Sequence, residues 1–130
     1  MSDNFNLEII RPDKTYLKTE VKEVTIPAFE GLMTILKDHI HLVTFLRPGF
    51  IVVKKVNGIE EFYVEEGTVE FSNNNLLILS SLVKNKKDLS SEEISKMITE
   101  AKEKINKDAV DDKIKYILSY KINTLEEINQ

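Results

Sequence analysis

The chain has 130 residues, 42% of them apolar and 31% charged, and a formal net charge of −4. That length suits one domain, or one domain with an appendage, and the apolar share excludes an intrinsically disordered chain. The absence of cysteine excludes disulfides, thiolate zinc sites and thiol nucleophiles.

Residues 1–83 carry eight Lys/Arg against twelve Asp/Glu, and residues 84–130 carry ten of each. Neither half has the basic excess that a phosphate backbone requires, so no nucleic-acid partner is expected. The N-terminus Met-Ser-Asp-Asn-Phe-Asn is neither a signal nor a transit peptide. No apolar run approaches the ~20 residues that span a bilayer. A soluble chain without direct membrane insertion is expected.

The first eighty residues read as strands. Phe5, Leu7 and Ile9 alternate, and Arg11-Pro12-Asp13-Lys14 reads as a turn. Val24 and Ile26 alternate in a run that stops at Pro27. Met33–Leu36 and Leu42–Leu46 are short apolar runs, the second closed by Pro48-Gly49. Phe50–Val56 is a strand. Asn57-Gly58 then supplies the two positive-φ positions of a type I′ hairpin, and Phe62 and Val64 continue the pairing. Gly67 marks a turn. Val69 and Phe71 alternate up to Asn73-Asn74-Asn75, a turn built on the tolerance of Asn for the left-handed region. Leu76–Leu79 closes the series as a buried strand. Short strands with frequent turn signals predict a two-sheet β-sandwich or a barrel over residues 1–83.

The period changes after Val83. Lys84–Asp88 reads as a polar linker, and Ser90 with Glu93 as a capping box. Ile94, Met97, Ile98, Ala101 and Ile105 then share one helical face. After a polar break at Asn106-Lys107-Asp108, a second stripe runs through Val110, Ile114, Ile117, Leu118, Ile122, Leu125 and Ile128. The fold class is therefore mainly β, with an antiparallel helical hairpin over residues 84–130. An isolated hairpin of this length is marginal in water. Its stripe, with Ile94, Met97, Ile98, Ala101, Ile105, Ile114 and Leu118 as the docking face, must pack on the β domain or on another subunit. Mixed charges on its polar faces favour protein over anionic lipid as that surface.

Catalytic constellations are missing. The four glycines are isolated and form no phosphate loop. His39 and His41 share a face in an extended segment, but Asp38 is the only further ligand at hand, so a packing role is expected. Glu60, Glu61, Glu65 and Glu66 read as a solvated outer face rather than a general acid–base pair.

Together these residues resemble the epsilon subunit of F-type ATP synthases. The stretch Ile26-Pro27-Ala28-Phe29-Glu30-Gly31, then Ile35-Leu36 and His39, is similar to that family's Pro-x-x-Glu-Gly…Leu-x-Gly-His segment. Leu46-Arg47-Pro48-Gly49 is similar to its Leu-x-Pro-Gly turn, and Phe62-Tyr63-Val64, Gly67, Val69-Glu70-Phe71 and Asn75–Leu79 follow its closing hairpin. The resemblance implies a non-catalytic rotor subunit without a cofactor, seated on the central stalk beside the gamma subunit and touching the membrane rotor ring. It places Glu30, Gly31, Leu32 and His39 at those contacts. It implies a hairpin that can extend along gamma toward the catalytic alpha and beta subunits and restrain ATP hydrolysis. It also implies a peripheral location on the cytoplasmic face of a bacterial inner membrane or the stromal face of a thylakoid. Lys37-Asp38 and Ile40-His41 replace the family's usual residues around the histidine, and Leu32 stands where some relatives carry an acid. The ATP-binding pattern Ile-Asp-x-x-Arg-Ala of some members becomes Ile94-Ser95-Lys96-Met97-Ile98-Thr99, without the Asp or the Arg. The alternative readings are a free-standing small-molecule-binding β-sandwich with a helical lid, and a metal-dependent enzyme using the two histidines.

Overall fold

In the computed structural model, which describes residues 3–107 and 111–128, Phe5, Leu7 and Ile9 point inward along the first strand. Ten strands follow one another: β1 (Phe5–Arg11), β2 (Lys14–Val21), β3 (Glu23–Ala28), β4 (Gly31–Leu36), β5 (Leu42–Leu46), β6 (Gly49–Lys55), β7 (Gly58–Val64), β8 (Gly67–Ser72), β9 (Asn75–Ser80) and β10 (Val83–Asn85). A 3-10 turn (Lys86–Asp88) leads to α1 (Ser91–Ile105) and α2 (Asp112–Ile128).

The hydrogen-bonded order is β10-β7-β6-β3-β5-β8-β9-β1-β2, with β4 on the free side of β3. β3 and β5 share only the pair Ala28–Leu46. That thin join lets the ladder fold into two sheets, β4-β3-β6-β7-β10 facing β5-β8-β9-β1-β2. Between them Leu7, Ile9, Ile26, Ile35, Ile51, Phe71, Leu76 and Ile78 form a buried apolar core. All pairings are antiparallel except β1 with β9, where Leu7 lies beside Leu76 and Ile9 beside Ile78. The β-sandwich and helical hairpin expected from the sequence are both present.

Several local expectations change. β2 is a full strand, although its Lys14–Glu20 stretch is too polar to show an apolar alternation; it pairs with β1 at the rim of its sheet. Lys84–Asp88 is not a linker. Val83–Asn85 extends the sheet along β7, and Asn85 caps the 3-10 turn by accepting from the Lys87 N–H. β3 runs through Pro27 to Ala28, because its pairing with β6 ends at Thr25 and the missing N–H falls beyond it. At the β6–β7 hairpin Lys55 pairs with Gly58, so the loop residues are Val56 and Asn57, and Gly58 takes the positive φ of 147°. The paired left-handed residues of a type I′ turn sit instead at Asn73 and Asn74, with φ of 51° and 59°, between the partners Ser72 and Asn75.

Ser90 caps α1 by accepting from the Glu93 N–H at 3.1 Å. The other half of the box is replaced: the Glu93 carboxylate pairs with Lys84 of β10 at 3.0 Å. Asp111 caps α2 by accepting from the Ile114 N–H at 2.9 Å. Asp108 and Val110, counted in the break and in the second stripe, lie outside the described residues. The hairpin docks on the outer face of the first sheet, where Tyr63, Leu89, Ile94 and Leu125 are buried together, with Phe50, Met97 and Ile98 around them. Ala101 and Leu118 are buried and Ile105 is half-buried. Ile114 departs from the expected docking face. It lies on the same stripe, but burial fades toward the start of α2, and it is 41% exposed.

Candidate functional site

Phe29 and Glu30 form the tight β3–β4 turn, and Gly31, at φ +137°, accepts a backbone conformation that a side chain would resist. The turn is tied to the β5–β6 turn beside it. The Phe29 N–H donates to the Phe45 carbonyl at 3.1 Å, and the Arg47 N–H donates to the Pro27 carbonyl at 3.0 Å. Glu30 is exposed, and Leu32 projects from β4 with 71% of its surface free.

His39 lies elsewhere. β4 runs six residues from Gly31 to Leu36, so the His39 loop that follows stands at the opposite end of the sandwich, roughly 17 Å of strand away. Asp38, at φ 66°, locks this loop onto the β8–β9 turn. Its N–H donates to Asn74 Oδ1 at 2.7 Å, and Asn74 Nδ2 donates back to Asp38 Oδ1 at 2.9 Å. The His39 ring meets Phe71 edge-on at 5.8 Å, and its Nδ1 lies 2.8 Å from the Ile40 carbonyl. Among the described residues no three His, Cys, Asp or Glu converge as a metal site. The structure thus brings Glu30, Gly31 and Leu32 together, and sets His39 apart at the other end.

Between these two ends apolar side chains are exposed alongside the polar Thr34 and His41. Leu32, Leu36, Ile40, Val43 and Phe45 are all exposed, Ile40 by 79% and Phe45 by 59%. They lie on β4, on the following loop and on β5. Among the described residues β4 pairs with β3 alone, so its other edge is left open to a further strand.

A second set of residues holds the hairpin against the sandwich. The Tyr116 hydroxyl donates to the Phe29 carbonyl at 2.7 Å, and the two rings stack at 5.5 Å. Tyr120, one turn on, meets Tyr116 at 4.9 Å, and the Arg47 guanidinium lies 3.9 Å above the Tyr120 ring. Further along α2, Lys121 pairs with Glu65 at 2.9 Å, and the same carboxylate oxygen accepts the Tyr63 hydroxyl at 2.8 Å. Burial raises the Tyr63 phenol pKa far above its ordinary range, and the Glu65 charge pushes the same way.

Sequence reasoning missed Tyr116, Tyr120, Lys121 and the role of Glu65. Two tyrosines at i, i+4 on α2 are the signal that the sequence carries for this fastening. The acidic group also proves less solvated than expected. Glu60 pairs with Lys55 at 2.7 Å, Glu61 with Lys86 at 2.9 Å, and Glu65 is largely enclosed.

Two grooves accompany these features. One of about 650 Å³ runs over β1, β2, β8 and β9 and is lined by Asn6, Glu8, Lys18, Glu20, Glu70 and Asn75 among others, none of them from the hairpin. The other, of about 430 Å³, lies under α2 between Pro27, Val52, Arg47, Tyr120 and Asn123. Among the described residues no helix is long and apolar enough to cross a membrane.

Residues 4–86 match the family model for the β-sandwich domain of the ATP synthase delta/epsilon chain. The chain is 45% identical over 130 residues to the ATP synthase epsilon chain of Pelagibacter ubique (strain HTCC1062), covering 99% of this chain and 100% of that one. It is 30% identical over 105 residues to the ATP synthase epsilon chain of Endomicrobium trichonymphae, covering 81% and 76%. Among solved structures, a chain of the Euglena gracilis mitochondrial ATP synthase OSCP/F1/c-ring superposes with a TM-score of 0.80 at 21% identity, covering 100% of this chain and 84% of that one. A chain of the Tetrahymena thermophila mitochondrial ATP synthase central stalk and c-ring gives 0.69 at 16% identity, covering 96% of each. At these identities the two superpositions speak for the fold.

Proposed function

Because the chain belongs to the ATP synthase delta/epsilon family, we propose that it is a non-catalytic rotor subunit that joins the gamma subunit to the membrane rotor ring. The observation that supports this reading is that the candidate contact residues stand at two separated ends of one packed block. A module that transmits torque must grip two bodies at once, without bending between them. Glu30, Gly31 and Leu32 mark one end, His39 marks the other, and exposed Ile40, Val43 and Phe45 extend the surface between. A packed two-sheet core resists deformation along that axis.

The division of labour we propose makes the sandwich, including Lys84 and Asn85 of β10, the coupling module and the two helices that follow a detachable hairpin. Its fastening combines the buried apolar contact of Ile94 and Leu125 with Tyr63, the Tyr116 hydrogen bond and ring stack, one cation–π contact and ion pairs near the surface, all of it outside the inter-sheet core and so able to open without disturbing that core. We infer that the hairpin, once released, extends along gamma toward the catalytic alpha and beta subunits and restrains ATP hydrolysis. The working location is peripheral, on the cytoplasmic face of a bacterial inner membrane.

The test is co-expression of the tagged chain with gamma and the ring subunit. Recovery of both, and loss of at least one with Leu32→Asp, supports the reading. A chain that elutes alone as a monomer contradicts it. The lidded small-molecule reading gains nothing from the larger groove, which the hairpin does not cover.

A further inference from the structure

We propose that Tyr116 and Tyr120 of α2, with Phe29 and Arg47 of the sandwich, form a clasp that couples the seating of the hairpin to the shape of the Glu30–Leu32 turn. The coupling rests on the reading above only in taking that turn as a partner contact. The geometry of the coupling stands apart from it.

Phe29 is one of the two residues of the β3–β4 turn, and both of its backbone polar groups are engaged in different directions. Its N–H is held by the sandwich through Phe45, and its carbonyl is held by the hairpin through the Tyr116 hydroxyl. Its ring is stacked on Tyr116 with an interplanar angle of 11°. When α2 lifts, Phe29 loses its carbonyl partner and the face of its ring together. The residue that follows it, Glu30, then leads into Gly31 with one anchor instead of two.

Arg47 completes the clasp from the neighbouring turn. Its backbone N–H holds Pro27, its Nη1 lies 3.4 Å from the Pro48 carbonyl, and its guanidinium covers Tyr120. Its Nε is buried without a hydrogen-bond partner among the described residues, so the cation–π contact with Tyr120 helps compensate for its partial burial. Next to these contacts α2 stands off the sheet, leaving the groove bounded by Thr25, Val52 and Asn123. α2 is held to the sandwich at the clasp through Tyr116 and Tyr120, and beyond it by Leu125 and by Lys121 with Glu65. Coupling of this kind is reciprocal. A partner that reshapes the Glu30 turn loosens α2, and a released hairpin loosens the turn.

The experiment is amide hydrogen exchange on the full chain, without partners, for wild type, Tyr116→Phe, Arg47→Lys and Gly31→Ala. Tyr116→Phe removes one hydroxyl and keeps the ring. Exchange should rise roughly fivefold both in residues 115–121 and at Phe29 and Met33, the scale of one ordinary hydrogen bond, while β8 and β9 stay protected. Arg47→Lys should act on the same two segments. Gly31→Ala strains the turn from its other side and should speed exchange in residues 115–121. If α2 responds while Phe29 and Met33 do not, or if Gly31→Ala leaves α2 unchanged, the clasp does not couple the two and the proposal fails. Because no partner is present, failure to recover gamma or the ring would overturn the functional reading and leave this result standing.

Discussion

Lys121 reaches from α2 to within 2.9 Å of the Glu65 carboxylate, which already accepts the hydroxyl of fully buried Tyr63. The two charged side chains are 23% and 18% exposed, so solvent screens the pair only in part. Glu65→Gln keeps an acceptor for Tyr63 but removes the ion pair. It should weaken hairpin docking by about 1 kcal/mol, seen as an earlier loss of helical circular dichroism on heating. Raising the salt concentration should weaken wild type more than the variant.

Tyr63 predicts an alkaline limit. Its folded-state pKa lies far above the ordinary value of 10.0, chiefly through burial. The folded state therefore keeps its proton where the unfolded chain gives it up. The contribution is intact below about pH 10. Above that, stability should fall by about 1.4 kcal/mol per pH unit from this group. Tyr63→Phe should flatten the fall in urea denaturation across that range, whereas an equal slope in both proteins would contradict the assignment.

Gly67 opens β8 where the chain presses against β9. A Cβ there would run into the carbonyl oxygen of Leu79, and neither backbone can yield without breaking the ladder. Gly67→Ala should cost more than about 2 kcal/mol in urea denaturation. Leu32→Ala, at an exposed site, should stay within about 0.5 kcal/mol of wild type.

The hairpin should not bind ATP tightly through the motif known from the family. Ser95 and Ile98 stand where the Asp and the Arg of that motif would be, so planar bidentate recognition of phosphate is lost. Isothermal titration of the full chain should show no micromolar site.

Much of the fold was legible because its strands alternate cleanly and its turns carry Asn, Gly and Pro. Phe5, Leu7 and Ile9, and Asn73 with Asn74, behave as their residue types require. β2 and β10 were not legible, since each is polar and owes its conformation to a neighbouring strand. The same holds at the candidate site. The Glu30–Leu32 turn was found through its resemblance to a family motif, but nothing local in the sequence says that His39 stands at the opposite end of the sandwich. Nor could spacing alone reveal that Tyr116 meets Phe29, 87 positions away, because that contact exists only once the hairpin has docked.

The absence of native cysteine makes the most direct test of the central claim possible. Leu32→Cys and Ile40→Cys, each bearing a short photo-crosslinker, would be incorporated into the assembled synthase and the adducts identified by mass spectrometry. A block that bridges two rotor bodies predicts capture of the rotor-ring subunit from one position and of gamma from the other. Capture of stator subunits, or no adduct from either position, would contradict it.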